Sequence, residues 1–334
     1  MTSVTGATGV LTFGETMLLL GGRGALVELD TMGVDTGGAE SNVAIGLAHA
    51  GVPVTWIGRV GVDPAGDRVL ADVTAQGVAV VGVRDPERST GIMLKERLPD
   101  GRTRVTYHRR GSAASAFTPG DLPSGVVERA TLLHVTGITL ALSDTARETV
   151  HAAVVRATDA GVPVSFDVNH RPKLVDDATG RGWYRAVAAR AAVVFAGDDE
   201  ARLVLGRDER PGDDEALAHE LAALATGIAV VKLGSRGAVA SVKGTIHRRA
   251  ASPVAVVDPV GAGDAFVAGW LAADLAGRSP AEALDAAADA GALACTVHGD
   301  WRRPDPGAPG LRLGLVDHGE ADHADHAVHD RVDR

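Results

Sequence analysis

Residues 256–277, VVDPVGAGDAFVAGWLAADLAG, decide how the rest of the chain is interpreted. An apolar strand end is followed by Asp258, by a turn of small residues, and then by a helix that we expect to begin at about Asp264. Small side chains let the backbone approach a ligand closely, and the N–H groups of a helix's first turn favour a bound anion. The small residues of the turn are Gly261, Ala262 and Gly263. The stretch therefore predicts a phosphate site with the Asp264 carboxylate at its mouth.

Other interpretations of this stretch can be tested on the sequence itself. Aspartate is a frequent helix N-cap, so Asp264 taken alone is better explained as the start of a helix than as a catalytic group. The dinucleotide fingerprint G-x-G-x-x-G fails, because Phe266 stands where its last glycine is required. A Walker loop, G-x-x-x-x-G-K-[ST], occurs nowhere in the chain. A P-loop kinase is thereby excluded, and the phosphate site needs a different family.

Outside this stretch, short apolar runs alternate with longer runs of helical spacing. The strand-like runs are 10–20, 54–60, 131–137, 163–169, 191–197 and 227–234. The helix-like runs are 41–51, 67–78, 144–160 and 215–225. Short apolar strands that alternate with helices predict an α/β fold, in which helices cover both faces of a mostly parallel sheet.

Two segments predict hairpins instead. GIMLKERLPDGRTRVTYHRRG (91–111) consists of two β-rich runs joined by Pro-Asp-Gly, and AVASVKGTIHRRA (238–250) has a related pattern. We expect the first hairpin to form a small antiparallel sheet together with a stretch near 10–36. This second sheet would lie beside the main layer.

The composition limits the partners and the compartment. The chain has 334 residues, of which 45% are hydrophobic, and a formal net charge of −10, which argues against nucleic acid or an anionic membrane as a partner. One cysteine, Cys295, cannot form an intrachain disulfide and suits the cytoplasm. We expect no signal peptide, and no run approaches the roughly 18 apolar residues of a membrane helix.

The C-terminal segment 316–334 is acidic, rich in histidine and poor in large apolar residues, so we expect it to be disordered. Its histidines are His318, His323, His326 and His329. They are candidate metal ligands, but a solvated tail is the favoured interpretation because flexible ligands preorganise nothing.

The stretch DPVGAGDAFVAGWLA closely resembles the C-terminal signature D-[TP]-x-G-A-G-D-x-F of the ribokinase-like (phosphofructokinase-B) carbohydrate kinases. GGAESNVAIGLAHAGVPVTWIGRVGVDPAGD (37–67) resembles the N-terminal signature of the same family. The resemblance extends from about residue 10 to about residue 315. It implies a three-layer α/β/α sandwich over 1–315, with a small β-sheet lid formed by about 10–36 and 90–112.

The resemblance also implies roles for individual residues. Asp264 would be the catalytic base, with Gly261, Ala262 and Gly263 as the anion hole for the transferred phosphoryl group. Asp258 belongs to the same loop, a region that in many members also holds a monovalent cation such as K⁺. In KLGSRG (232–237), Lys232, Gly234 and Gly237 match a stretch near the ATP, although a strand followed by a turn predicts the same letters.

Magnesium is expected with ATP, because the transferred phosphoryl group carries charge that must be compensated. Many members have N-x-x-E where this chain has Gly197-Asp198-Asp199-Glu200, so Gly197 departs from the pattern. Glu200 is the candidate for organising the metal's water ligands, and a solvated helix start is the alternative.

The sugar site is expected at the start of the first helix, where Gly37, Gly38 and Asn42 can bind hydroxyl groups. YHRRGSAAS (107–115) and FDVNHRPKL (166–174) resemble Y-x-R-x-x-S-A and D-x-N-x-R-P-x-L, which are typical of 2-keto-3-deoxygluconate kinases. The resemblance assigns Tyr107, Arg109 and Arg171 to the substrate, and two guanidinium groups suit its carboxylate. Arg110 competes with Arg109, but neighbours in a strand point to opposite faces, so only one is expected to enter the pocket.

The implied function is ATP-dependent phosphorylation of a sugar acid by a homo-oligomer. Two alternatives stay open on the sequence. One is a kinase of a neutral sugar, such as fructose or ribose, or of a nucleoside. The other is a non-catalytic sugar-binding protein with the same fold.

Overall fold

The computed structural model describes residues 9–98, 103–210 and 212–301, and these contain thirteen strands. The strands are β1 (Val10–Phe13), β2 (Met17–Arg23), β3 (Gly33–Gly37), β4 (Val54–Gly61), β5 (Ala79–Asp85), β6 (Ile92–Arg97), β7 (Thr103–His108), β8 (Leu132–Thr136), β9 (Val164–Asp167), β10 (Val193–Gly197), β11 (Ile228–Lys232), β12 (Ala238–Val242) and β13 (Thr245–Arg249).

The same part of the chain contains nine α-helices, several of which start at a Ser, Thr or Asp cap. They are α1 (Ala39–His49), α2 (Pro64–Ala75), α3 (Gly137–Leu142), α4 (Asp144–Asp159), α5 (Asp177–Ala188), α6 (Asp198–Leu205), α7 (Asp214–Leu224), α8 (Ala262–Leu275) and α9 (Pro280–Ala294). Asp63 and Ser143 show why these helices begin where they do, because each side chain accepts a hydrogen bond from a first-turn N–H of α2 or α4.

The main sheet has the order β13-β12-β11-β10-β9-β8-β1-β4-β5 and is parallel from β11 to β5. The predicted hairpin 238–250 is confirmed as β12 and β13, which add an antiparallel edge. Its turn consists of Lys243 and Gly244, both in the left-handed region with φ of 50° and 85°. The predicted mostly parallel α/β fold is therefore confirmed.

Alternate side chains of the central strands enter two separate hydrophobic cores. Leu11 and Phe13 belong to one core, whereas Val10 belongs to the other, and Phe166 and Phe195 divide in the same way. This alternation is what a sheet covered by helices on both faces requires. The three layers are thus helix, sheet and helix.

The second sheet has the order β3-β2-β6-β7 and contains the predicted hairpin 91–111 as β6 and β7. The predicted antiparallel character is wrong in one respect, because β2 pairs with β6 in parallel. The chain leaves β2 for β3 and then passes through the main sheet before it returns as β6, so the two strands run in the same direction. We call this four-stranded sheet the lid.

The single strand predicted for 10–20 is also wrong. The chain breaks at Gly14, Glu15 and Thr16, so that β1 lies in the main sheet and β2 in the lid. A Cβ at Gly14 would overlap the Glu40 carboxyl group, which shows how closely the chain packs at the break. The predicted lid range therefore starts too early, at residue 10 instead of residue 17.

The predicted tail 316–334 and its histidines lie outside the described residues. In the described ranges, no helix is both long and apolar enough to cross a bilayer.

Candidate active site

A cleft of about 1300 Å³ lies between the lid and the carboxyl ends of the parallel strands. Asp167, Gly197 and Lys232, each the last residue of its strand, lie along its wall. The predicted site residues that line this cleft are Gly38, Asn42, Tyr107, Arg109, Arg171, Glu200, Lys232, Gly261, Gly263 and Asp264. Residues from distant parts of the sequence thus meet in one cavity.

The turn at 261–263, which we call the anion turn, stands at the start of α8. Gly261 is the N-cap residue of this helix, with φ of 82°, and Asp264 lies in the first helical turn. The alternative interpretation of Asp264 as the N-cap is therefore wrong. A Cβ at Gly261 would overlap the carbonyl oxygen of Asp300, so both the conformation and the space at this position require glycine. First-turn N–H groups of an α-helix have no intrahelical partner, which leaves them for an anion.

The Asp264 side chain is buried beside the amide of Asn42, whose Nδ2 donates a hydrogen bond of 2.8 Å to Asp264 Oδ2. Burial raises the pKa of Asp264 to about 7, with a further increase from Asp167, while Asn42 and Lys232 act in the opposite direction. A carboxyl group with a pKa near 7 is suited to accept a proton at neutral pH. Asn42, predicted to bind sugar hydroxyls, thus also contacts the candidate base.

Lys232 points toward the anion turn. Its Nζ donates to both carboxylate oxygens of Asp167, at 2.8 and 2.9 Å, and lies 3.7 Å from the position of a Cβ built on Gly263. Burial lowers the pKa of Lys232, but Asp167 and Glu200 outweigh this effect, so that the pKa is raised. Lys232 is therefore a permanent positive charge beside the place where a phosphate would bind.

Glu200 is held in place by two backbone N–H groups. Gly197 N donates to its Oε2 at 2.7 Å, and His170 N donates to its Oε1 at 2.8 Å. Burial raises the pKa of Glu200, and Lys232 opposes this effect. Glu200 therefore belongs to a helix start, because its contact with Gly197 N caps α6. Its carboxylate is not freely solvated, since both oxygen atoms accept hydrogen bonds.

Among the described residues, no group of three or more His, Cys, Asp or Glu side chains could hold a metal ion without other ligands. Mg²⁺ usually keeps several waters and binds one or two carboxylates together with substrate phosphates. Glu200 and Asp199 line the cleft and are suitably placed for this. Their assignment to Mg²⁺ stays a prediction.

Arg109 is anchored on the lid side by Glu15. Arg109 Nη2 lies 2.5 Å from Glu15 Oε2, and Ser112 Oγ donates to the other oxygen of Glu15. The Arg109 guanidinium also lies 5.7 Å from the centre of the Tyr107 ring. Across the cleft, Arg171 is exposed, and its Nη1 donates to the carbonyl oxygen of His170. The two arginines thus approach the cavity from the lid side and from the main domain.

The prediction that only one of Arg109 and Arg110 enters the pocket is wrong. It assumed that both belong to a strand, but β7 ends at His108, so the alternation of strand side chains no longer applies. Both arginines line the cleft. Arg109 differs from Arg110 in being largely buried and paired with Glu15.

The remaining predicted residues are not among those that line this cleft: Gly37, Gly234, Gly237, Asp258 and Ala262. Gly37 packs against Asp300, and a Cβ there would overlap the Asp300 carboxylate. Gly234 and Gly237 form the turn after β11, with φ of 59° and 96°. Asp258 is buried and paired with Lys95 Nζ at 2.7 Å. The assignments of Gly234, Gly237 and Asp258 to the nucleotide stay predictions.

Sequence reasoning missed several acidic residues of the site. Glu15 and Asp167 each follow or end a strand of the main sheet, a position at which polar side chains gather in parallel sheets. Glu40 is fully buried, and its Oε1 accepts hydrogen bonds from Thr136 and Thr139 at 2.6 and 2.5 Å. Strand ends were the available signal for Glu15 and Asp167, whereas no local pattern indicates that Glu40 is buried.

Comparison with known proteins agrees with this geometry. Residues 7–305 match the pfkB family of carbohydrate kinases. A 2-dehydro-3-deoxygluconokinase of Bacillus subtilis is 35% identical over 87% of this chain and 90% of its own length. A 2-dehydro-3-deoxygalactonokinase of Haloferax volcanii is 34% identical over 87% of this chain and 92% of its own length.

A solved structure, that of 2-dehydro-3-deoxygluconokinase from Thermotoga maritima, is similar to this fold with a TM-score of 0.82. It is 26% identical and covers 88% of this chain and 96% of its own. The family match covers most of the sequence, including the phosphate-site stretch at 256–277. The chain belongs to the PfkB family of carbohydrate kinases.

Proposed function

We propose that this carbohydrate kinase transfers the γ-phosphoryl group of ATP to the C6 hydroxyl of 2-keto-3-deoxygluconate, also called 2-dehydro-3-deoxygluconate. The observation that carries the proposal is the joint placement of Arg109, Arg171 and Asp264 on one cleft. Guanidinium groups suit the carboxylate of the sugar acid, and a carboxylate base suits its terminal hydroxyl. The relatives that act by name on such acids support the same substrate class.

In this reaction, the Asp264 carboxylate accepts the C6 hydroxyl proton while the hydroxyl oxygen forms a bond to the γ-phosphorus. The bond between that phosphorus and the bridging oxygen breaks, and ADP leaves with the electron pair. N–H groups of the anion turn and the Lys232 ammonium stabilise the charge on the transferred group. Mg²⁺, held near Glu200 through water and by the nucleotide's phosphates, would neutralise further phosphate charge.

The substrate assignment is tested by ADP release coupled to a reporter enzyme. We expect the highest kcat/KM with 2-keto-3-deoxygluconate or its galactonate epimer and much lower values with fructose, ribose and adenosine. The carboxylate contacts explain this order, because a neutral sugar leaves the guanidinium groups without their partner. Comparable kcat/KM for fructose and both acids would reject the sugar-acid assignment. Absence of ADP release with every acceptor would favour the non-catalytic alternative.

The carboxylate contact is tested by Arg171→Ala and Arg109→Gln. We expect each to raise KM for the sugar acid by about 10- to 100-fold, because a hydrogen bond to a charged group contributes about 1.5–3 kcal/mol. The Arg171 variant is the cleaner one, since Arg109→Gln also leaves the buried Glu15 without its ion pair. Arg110→Ala is the matched comparison and should change KM much less. Unchanged KM in both Arg171→Ala and Arg109→Gln would contradict the proposed binding mode.

The cytoplasmic location and the homo-oligomeric state stay predictions. The same holds for the binding of sugar hydroxyls by Gly37, Gly38 and Asn42.

A further inference from the structure

A lysine of the lid is buried beside the loop that leads into the anion turn. Lys95 lies in the middle of β6, and its side chain is only 2% exposed. Its Nζ is 2.7 Å from Asp258 Oδ2 and 3.4 Å from Asp300 Oδ1. A buried ammonium group persists only where carboxylates compensate its lost hydration. The charge of Lys95 is therefore stabilised by Asp258 and Asp300.

The two carboxylate residues that Lys95 contacts are both connected to the anion turn. Asp258 begins the loop that leads into Gly261, and the backbone of Asp300 packs so closely on Gly261 that a Cβ would not fit. Asp300 also packs against Gly37, at the end of β3 in the lid. Displacement of either carboxylate would therefore move the turn that faces the phosphoryl group.

The region around Asp258 is where the family resemblance suggests a monovalent cation, but Asp258 already has the Lys95 ammonium as its ion-pair partner. Asp258 Oδ1 accepts from Val260 N at 3.2 Å, and Oδ2 is paired with Lys95. The carbonyl oxygen of Cys295 accepts from the N–H groups of Val257 and Asp258, at 2.7 and 3.2 Å. A second positive charge beside Asp258 would meet the Lys95 ammonium at close range, so K⁺ does not fit this arrangement.

We propose that Lys95 supplies, from the lid, the fixed positive charge that holds Asp258, Asp300 and hence the anion turn in place, so that phosphoryl transfer needs no monovalent cation. Lys95 is a positioning residue, because it acts on the reaction through the two carboxylates. The same contacts join the lid to the phosphate site. Trp301 adds a second connection, since its Nε1 donates to the carbonyl oxygen of Thr36 in β3 at 3.2 Å.

The first experiment measures wild-type turnover and melting temperature in potassium chloride and in tetramethylammonium chloride at equal ionic strength. We expect both quantities to be unchanged between the two salts. The melting temperature is measured without substrate, so it does not depend on the proposed function. The turnover measurement rests on the proposed function for its choice of acceptor. A wild-type enzyme that loses turnover or melts earlier without K⁺ would overturn the proposal.

The second experiment compares Lys95→Met, Lys95→Arg and Lys243→Asn. Lys95→Met keeps an apolar stem of similar length without the charge, and we expect kcat to fall by about 10²-fold, since a small misplacement of catalytic groups has effects of this size. Added K⁺ or ammonium should restore part of the lost rate and raise the melting temperature of this variant alone. Lys95→Arg should retain turnover in tetramethylammonium chloride, and Lys243→Asn, in the exposed β12–β13 turn, should equal the wild type.

Normal kcat in Lys95→Met, or a lost kcat that no small cation restores, would overturn the role of Lys95. If Lys95→Met does not fold, the wild-type salt comparison and Lys95→Arg still decide. Absence of turnover with every acceptor in every salt would instead count against the proposed function. The melting temperatures do not depend on the acceptor, so they would still test the role of Lys95.

Discussion

Asp264→Asn is expected to lower kcat by about 10³-fold, within the range that a positioned general base contributes. Asparagine keeps the size and the contact with Asn42 but cannot accept the hydroxyl proton. ATP binding should be nearly unchanged, because the anion turn is intact. Steady-state turnover and nucleotide titration measure the two effects. Asp274→Asn is the matched control, since Asp274 lies exposed at the other end of α8.

The pH dependence gives this prediction a second readout. Only the carboxylate form of Asp264 can accept a proton, and its pKa is raised to about 7 by burial. We therefore expect wild-type kcat/KM to rise with pH up to about 7 and then to level off. The residual rate of Asp264→Asn should lack this rise. Wild-type turnover in the variant, or the same acid limb in both proteins, would remove Asp264 from the role of base.

The raised pKa of Asp264 also makes the free energy of unfolding depend on pH. In the unfolded chain the Asp264 carboxyl releases its proton near its ordinary pKa of 3.8, whereas in the folded protein it retains the proton up to about pH 7. The folded state therefore binds more protons in this interval, and the free energy of unfolding falls as pH rises through it. Asp264→Asn removes that decrease, so its melting temperature should exceed that of the wild type at pH 8 by more than at pH 4.

Gly261→Ala is expected to abolish most of the turnover, by roughly 10²-fold or more, the effect of losing an oxyanion-type donor. The alanine Cβ would meet the Asp300 carbonyl oxygen, and the left-handed φ of 82° adds strain. Relief of this overlap must shift the anion turn, and with it the N–H groups that face the phosphoryl group. KM for the sugar acid should change little, because the two arginines lie elsewhere on the cleft. Coupled ADP release measures both constants.

Gly277→Ala separates backbone strain from loss of space. Gly277 follows the end of α8 with φ of 72°, but a Cβ there would find no heavy atom within 4 Å. We expect this variant to cost about 1 kcal/mol of stability, the effect of a left-handed L-residue, with normal turnover. A Gly261→Ala enzyme that turns over at the rate of Gly277→Ala would show that the anion turn tolerates displacement.

The alternation of strands and helices was predictable, because it depends on local periodicity and on turn residues that belong to each segment, although β5, α5 and α9 were not among the predicted runs. The anion turn was predictable for a similar reason: its small residues and its helix are contiguous in the chain. The break after β1 was not predicted, although Gly14, Glu15 and Thr16 interrupt the apolar run, because only the second sheet determines where the strand must leave the first.

The ion pairs of the site escaped prediction for a different reason. Lys232 with Asp167, Arg109 with Glu15 and Lys95 with Asp258 each join residues separated by at least 65 positions. No spacing rule in a single sequence reports such a pair. The sequence indicated that several of these residues belong to one site, whereas only the folded chain shows which charge compensates which.

Asp300 packs against Gly261, and Trp301 donates a hydrogen bond to Thr36. These two contacts have a consequence for biosynthesis. Domains fold largely as units, and the ribosome delivers the N-terminal part first. Asn42 thus emerges from the ribosome long before its partner Asp264. Asp300, which packs against Gly261, emerges later still. A nascent chain can form much of its sheet early, yet it gains the power to consume ATP only after residues 300 and 301 have been synthesised.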